Sequence, residues 1–533
     1  MKLKHLILVI TIGLTSLVAC KKTPNDEPKP DPVATRADLT RDSIFLYAKE
    51  MYLWNTALPT YEAFNPRKYN TLTKDFDNYE QELIALANIA KNPATGLAYE
   101  YFANGADSKY SYITDIADKN PVAFVPTKQS AVDLEGNGND FGIKLGAYGQ
   151  GGTTFALFIT AVYQNSPADK AGVIRSDRIY KINGRTIGDN YTNDRDFINT
   201  AFSGTTITLE GVHYLNGVSD AAYTLNLVKA SYKSNPVYAA KVFTAGAKKV
   251  GYLAYARFST LSNSKPEFDA AFANFNTNGV TDLILDLRYN GGGYVNTAQY
   301  LINQIAPSTL NGKFMYSETY NTTMQSGQAR ILANQPFLDA NDKVQYSNGR
   351  MVTYLDLDYS IAGNTENFVK AGPLTNLKKL YVIVSGNTAS ASELVINSLK
   401  AYPSDIEVIL IGTNTYGKPV GFFPIKLENK YEVYYSLFQT KNALGQGDYF
   451  AGFTPNVVDD FDDPRNNFGD PKEYYTSLAL NRIAPGAIVT SSLAKTMSIQ
   501  GRSVAVESLQ KMKPLVDGNE FVGMIETNHK VKK

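Results

Sequence analysis

The spacing of apolar residues changes along the chain, and each change predicts a different architecture. Over 36–115 apolar positions recur at helical spacing, as at Ile44, Leu46, Tyr47, Met51 and Leu53 and again at Leu83, Ile84, Ala87 and Ile89, which predicts an N-terminal helical domain. Its aromatic residues Tyr47, Tyr52 and Trp54 read as core packing. Over 130–232 the pattern becomes short β-like runs broken by Gly and Asn-Gly turns, so a β-rich domain is expected there. Over 236–470 strand-like runs (249–258, 282–287, 380–385, 406–412) alternate with helical ones (266–276, 296–305, 392–401). That order predicts an α/β domain in which helices flank a largely parallel sheet. No internal repeat is visible, and 471–533 reads as a mixed, partly helical C-terminal tail.

Length supports several cores rather than one, because 533 residues exceed what a single hydrophobic core usually holds. With 52 Lys plus Arg against 51 Asp plus Glu, and no basic block, nucleic acid is excluded as an expected partner. At the start, Lys2 and Lys4 precede an apolar run over 6–19, the layout of a secretory signal (1–20) and too short for a stable membrane span. The run ends Leu17-Val18-Ala19-Cys20, which resembles the lipobox of bacterial lipoproteins. That resemblance implies a lipidated Cys20 as the mature N-terminus, anchoring the protein in a bacterial cell envelope, with the outer membrane as the expected site. Cys20 is the single cysteine, so no disulfide can form within one chain. Residues 21–35 carry four prolines and no apolar period, and read as a tether.

Within the β-rich region, Asn165-Ser166-Pro167-Ala168-Asp169-Lys170-Ala171-Gly172-Val173 is followed by Ile182-Asn183-Gly184, and the two together resemble a PDZ domain. Phe141-Gly142-Ile143-Lys144 stands where such domains place the loop that holds a peptide carboxylate, so Phe141, Gly142 and Ile143 are candidate peptide-binding residues. The implied physics is strand addition: an extended peptide joins a sheet edge while N–H groups capture its terminal charge.

Histidine is the usual base for a nucleophilic serine, but only three occur, and neither His213 nor His529 has a catalytic context. A multi-histidine metal site is likewise not expected, and no cofactor or metal is implied. Instead a buried strand leads through Gly386-Asn387-Thr388-Ala389 to Ser390-Ala391-Ser392-Glu393 and a helix. A serine there meets the free N–H groups and dipole of a helix N-terminus, which favour a developing oxyanion; Ser392 reads as the helix cap. A second segment, Thr415-Tyr416-Gly417-Lys418, follows another strand, with apolar Val420, Phe422 and Phe423 beyond it. A third, Asp286-Leu287-Arg288-Tyr289-Asn290-Gly291-Gly292-Gly293, runs from a strand into a glycine-rich turn.

These segments together resemble the tail-specific, or C-terminal processing, serine peptidases. The resemblance implies Ser390 as nucleophile, Lys418 as general base, and the N–H groups of Ala391 and of Gly292 or its neighbour Gly291 as oxyanion donors. A lysine base must be neutral near pH 7, which burial can achieve. Gly452-Phe453-Thr454-Pro455-Asn456 is similar to a further family stretch, with Asn456 in place of an acid. The family commonly has a glutamine four residues after the lysine, and this chain has Phe422; Thr415, Asn414 or a backbone carbonyl are the candidates to orient Lys418 instead. The implied fold is α/β and multidomain: helical N-terminal domain, PDZ-like domain and a crotonase/ClpP-like protease core. The implied partners are proteins or peptides with exposed C-termini. Two rivals keep the chain noncatalytic: a peptide-binding envelope lipoprotein, and a surface lipoprotein that binds polymer or glycan through its tyrosines.

Overall fold

The computed structural model describes residues 34–117, 132–215, 218–338, 343–486, 496–499, 502–505, 514–517 and 522–532. The expected signal over 1–20, Cys20 and nearly all of the tether lie outside the described residues.

Helix α1 (Arg36–Met51) starts at a reciprocal cap: Asp38 N–H donates to Thr35 Oγ1 at 3.1 Å, and Thr35 N–H donates back to the Asp38 carboxylate at 2.9 Å. Its buried stripe of Ile44, Phe45, Tyr47, Ala48 and Met51 and that of α2 (Asp75–Ala87) belong to one continuous apolar cluster with the α/β core, including Leu283 and Leu394. The helical region is therefore packed as a wing of the core. Leu46, expected on the inner face, is 43% exposed, because it lies between the turns that make that stripe. β1 (Tyr112–Asp115) extends the wing by pairing antiparallel with residues 431–434.

The β-rich region contains β2 (Ile143–Gly151), β3 (Thr154–Val162), β4 (Arg178–Ile182), α3 (Tyr191–Ser203), β5 (Thr206–Leu215) and β6 (Val218–Val228). Its strands run antiparallel in the order β6-β5-β4-β3-β2 around their own core of Phe141, Ile143, Leu157, Ile179 and Leu209. Asn183 and Gly184 both have positive φ, 47° and 80°, which a tight hairpin turn after β4 requires.

The core adds β7 (Val237–Ala245), β8 (Lys248–Tyr255), α4 (Leu261–Thr277), β9 (Asp282–Asp286), β10 (Gly292–Tyr294), α5 (Val295–Ile305), β11 (Lys379–Val384), α6 (Ala391–Lys400), β12 (Glu407–Gly412), β13 (Tyr431–Tyr434), β14 (Val457–Val458), α7 (Tyr474–Ile483), β15 (Pro514–Asp517) and β16 (Gly523–Ile525). The main sheet has the order β7-β8-β9-β11-β12-β14, parallel from β8 onward. Side chains alternate between its faces: Leu283, Leu285, Val382 and Leu410 pack with α4, α5 and α6, while Ile284, Ile383 and Ile411 pack with α7. A parallel sheet covered on both sides needs strands that are apolar throughout, which is how 380–384 reads. Helix α4 begins at Leu261, five residues before the expected start, with Pro266 tolerated near its N-terminal end. The three chemically suggestive segments leave the C-terminal ends of the adjacent parallel strands β9, β11 and β12, the edge where α/β sheets place ligands.

Candidate active site

Ser390 sits at the turn from β11 into α6 with φ 60° and ψ −112°, a costly backbone conformation for a residue with a side chain. The turn is held from the neighbouring strand end. Ala389 N–H donates to Asn290 O at 3.2 Å, Ser392 Oγ donates to the same carbonyl at 3.0 Å, and Thr388 Oγ1 donates to Leu287 O at 2.8 Å. Ser392, expected as the cap, therefore lies inside the first turn, and Ser390 occupies the cap position. Ser390 is fully buried, yet its Oγ has no hydrogen-bond partner among the described residues. A buried hydroxyl left unpaired is rare and marks a position held for something other than stability.

The glycine turn packs against that serine. Gly292 has φ 110°, and a Cβ on it would stand 3.0 Å from Ser390 Cβ and 2.3 Å from Gly523 O, so only glycine fits. Of the two glycines suggested as oxyanion donors, Gly292 has its N–H committed to Asn290 Oδ1 at 2.9 Å. The N–H groups of Gly291 and Ala391 have no acceptor among the described residues and remain available.

Lys418 follows β12 and is 1% exposed. Burial strips water from its ammonium and brings its pKa down to about 7, against the opposing pull of Glu100 and Glu393. Its Nζ donates to Val522 O at 3.0 Å and Tyr110 O at 3.4 Å, and lies 4.4 Å from the centre of the Phe422 ring. Backbone carbonyls and an aromatic face thus hold the amine in place of the missing glutamine. Thr415, another candidate for that task, instead donates its hydroxyl to Glu393 Oε1 at 2.5 Å and accepts Phe453 N–H at 2.7 Å.

Glu393, one helical turn beyond Ser390, ties the two segments together. Its Oε2 accepts the N–H of Ser390 at 2.9 Å and of Lys418 at 2.7 Å, while Oε1 accepts Gly417 N–H at 2.8 Å. Burial raises its pKa, and the hydroxyl and amide donors work against that rise. Three donated N–H groups match a carboxylate, which has only acceptors to offer.

Sequence reasoning missed the contribution of the stretch before β1. Tyr110 supplies a carbonyl to Lys418 and its hydroxyl to Gly417 O at 2.5 Å, and Glu100, fully buried, accepts the Ser111 N–H at 2.7 Å and the Ser436 hydroxyl at 2.8 Å. Lys109, with its pKa brought down to about 8 by burial, donates to Phe450 O at 2.7 Å. A cavity of about 110 Å³ opens between this stretch, Tyr416, Lys418 and Val522. Nothing in the sequence around 100–112 distinguishes it from an ordinary loop.

A buried charge network joins the β-rich region to the glycine turn. Arg175 donates to Tyr289 Oη at 2.9 Å and to Asp462 at 3.0 Å, and Arg288 bridges Asp286, Asp462 and Glu473 at 2.7–2.8 Å. Phe141 and Ile143 point into the β-rich core, and Gly142 N–H donates to Asp140 Oδ1 at 2.7 Å, so that amide is already occupied. Asn456 Oδ1 accepts Leu410 N–H at 2.8 Å, a strand-end contact. His213 pairs with Asp177 at 2.5 Å and His529 packs among the rings of Phe337, Tyr354 and Phe423; neither reaches Ser390. Among the described residues no group of three or more His, Cys, Asp or Glu could hold a metal ion.

Residues 249–458 match peptidase family S41, and residues 158–209 match a PDZ domain. The chloroplastic carboxyl-terminal-processing peptidase 1 of Arabidopsis thaliana is 25% identical over 293 residues, 55% of this chain and 49% of that protein. The carboxy-terminal-processing protease of Bartonella bacilliformis is 25% identical over 305 residues, 56% and 57% of the two chains. The chain thus spans about half the length of the curated relatives it matches. A solved S41 protease structure from Bacteroides fragilis shares the fold with a TM-score of 0.56 at 21% identity, covering 83% of this chain and 96% of the other.

Proposed function

Because the chain belongs to the tail-specific peptidases of family S41 and carries a PDZ domain, we propose that it is a serine endopeptidase acting on proteins with exposed C-terminal tails. Ser390 is the nucleophile and Lys418 the general base. Neutral Lys418 takes the Ser390 proton as Oγ bonds to the scissile carbonyl carbon. The N–H groups of Ala391 and Gly291 receive the oxyanion, Gly291 rather than Gly292 because the Gly292 N–H is held by Asn290 Oδ1. Collapse breaks the C–N bond, Lys418 returns the proton to the leaving amine, and water, activated by the same lysine, frees the acyl group. The PDZ domain contributes the edge of β2 for a substrate tail, and lipid attachment through Cys20 places the enzyme on an envelope membrane, for which we take the outer membrane.

The observation that carries this reading is the shared anchor: one buried carboxylate holds the backbone of both the unpaired serine and the lysine lowered to about 7. Catalytic hydrogen bonds often tighten only in the substrate complex, so the Oγ–Nζ bond is expected to form when the lysine turns from the Val522 carbonyl. The test is labelling with a fluorophosphonate and cleavage of apolar C-terminal peptides by wild type, Ser390→Ala and Lys418→Ala. Labelling and cleavage confined to wild type support the proposal; indistinguishable behaviour of all three removes it. The second reading, a peptide binder without activity, is favoured by Phe422 in the glutamine position and predicts binding without turnover.

A further inference from the structure

The end of the chain returns to the site. β15 lies antiparallel on the outer edge of β2, with Pro514 opposite Tyr148, Val516 opposite Ala147 and Asp517 opposite Gly146. It runs toward Ile143 and the loop before it, the direction in which a C-terminal ligand strand would lie on that edge. β16 then lies parallel to β10, Gly523 opposite Gly292. Gly523 N–H donates to Gly291 O at 3.0 Å; on the other side Phe422 N–H donates to Met524 O at 2.9 Å and Glu526 N–H donates to Phe422 O at 3.0 Å.

This strand is seated on the catalytic elements themselves. Val522 O accepts the Lys418 amine at 3.0 Å, and Gly523 O and Ser390 Cβ both lie within 3.0 Å of the point a Cβ on Gly292 would occupy. Met524 is fully buried among the core residues. Asp517 and Val522 are five residues apart, a reach of roughly 17 Å when extended, so one peptide can engage the β2 edge and the cleft together.

We infer that the chain's own C-terminal segment, through β15 and β16, is a built-in occupant of the substrate path, filling the β2 edge and the cleft beside Ser390 until a substrate tail displaces it. The inference rests on the reading of Ser390 and Lys418 as the catalytic pair. A seated strand uses the main-chain groups of Gly291 and Phe422 that an incoming strand would need. It also draws the lysine amine onto Val522 O and away from the serine, so the strand is held without being cut. A tethered occupant competes at an effective concentration in the millimolar range, so a substrate succeeds by engaging both the edge and the cleft. The seated residues describe the preferred substrate: an extended strand with a small residue where Gly523 lies and an unbranched apolar one where Met524 lies.

The far end of the segment is pinned independently, by Lys530 on Glu366 at 2.9 Å and Asp358 N–H on Lys530 O at 2.7 Å. Met524→Asp therefore loosens the cleft strand while leaving that anchorage, and a chain ending at Lys513 removes the whole segment. Both are compared with the full chain for peptide cleavage, for fluorophosphonate labelling of Ser390, and for binding of a fluorescein-labelled peptide of residues 514–526, with melting temperature as the check on folding. The expected result is a ten-fold or greater rise in kcat/KM and labelling rate for Met524→Asp, reversed competitively by the free peptide. The labelled peptide should bind the loosened chain at least ten-fold more tightly than the intact one. Equal peptide binding by intact and loosened folded chains overturns the inference whatever the activity. Labelling and cleavage at unchanged rates overturn it while leaving Ser390 as nucleophile, whereas no labelling or cleavage in any folded chain overturns the catalytic reading and the inference with it.

Discussion

Ser390 and Lys418, 28 residues apart, donate their backbone N–H groups to the same oxygen, Oε2 of Glu393, at 2.9 and 2.7 Å. A carboxylate that has neither role thereby ties the proposed nucleophile to the proposed base. The turn after β11 and the loop after β12 are also joined directly, by Tyr416 N–H donating to Thr388 O at 3.0 Å.

Replacing that carboxylate should affect stability and turnover together. Glu393→Ala leaves three buried N–H donors and the Thr415 hydroxyl unpaired, a loss of order 3 kcal/mol or more, and Glu393→Gln keeps part of the hydrogen bonding. Chemical denaturation should rank wild type above Glu393→Gln above Glu393→Ala, with kcat falling in the same order and KM changing less.

The lysine sets the pH response. With its pKa near 7, activity should rise along a one-proton limb centred there, as the neutral amine appears. For stability, the folded chain binds fewer protons at this site than the unfolded chain between pH 7 and 10.5. Burial is therefore a full cost below pH 7 that fades as pH rises through 10.5. Lys418→Met should thus be inactive yet more stable at pH 7, by on the order of 5 kcal/mol, with the gain vanishing above pH 10.5. A less stable Lys418→Met at pH 7 would contradict the buried, desolvated lysine.

Phe422 tunes that limb. Its ring faces the amine at 4.4 Å, and an amide oxygen there would favour the ammonium more strongly than the ring does. Phe422→Gln should move the acid limb of kcat/KM up by about one pH unit. A limb that stays put, or moves down, means that the ring does not govern the lysine.

The Arg175–Asp462–Arg288 network should report on acid stability. Burial alone would raise the Asp462 pKa, but the two guanidinium groups hold it at about 2, below the ordinary 3.8. A depressed carboxylate contributes stability that is present above pH 4 and lost as pH falls toward 2, here about 2 kcal/mol. Asp462→Asn leaves two buried arginines underpaired and should lower the melting temperature at pH 7, by the equivalent of 3–5 kcal/mol, with the gap to wild type narrowing near pH 2. A gap independent of pH would place the loss in packing rather than in charge.

Particular residues show where legibility in the sequence stopped. β11 was readable because a strand buried on both faces must be apolar throughout, and Ser390 was readable because it follows such a strand and opens a helix. The choice between Gly291 and Gly292 was not, since it turns on where the Asn290 side chain points. The contact of Tyr110 with Lys418 spans 308 residues, and a backbone carbonyl leaves no mark on residue type. For the same reason nothing in 522–526 foretold its place: a strand seated through its main chain can have almost any sequence.

The main helices and strands of the core, and the residues able to do chemistry, can be read from the chain alone, because periodicity and the reactivity of serine and lysine are local properties. How the lysine loses its water, which amides stay unpaired beside Ser390 and what lies in the cleft emerge with folding. Those depend on groups brought together from distant parts of the chain, and burial and hydrogen bonding exist only once they meet.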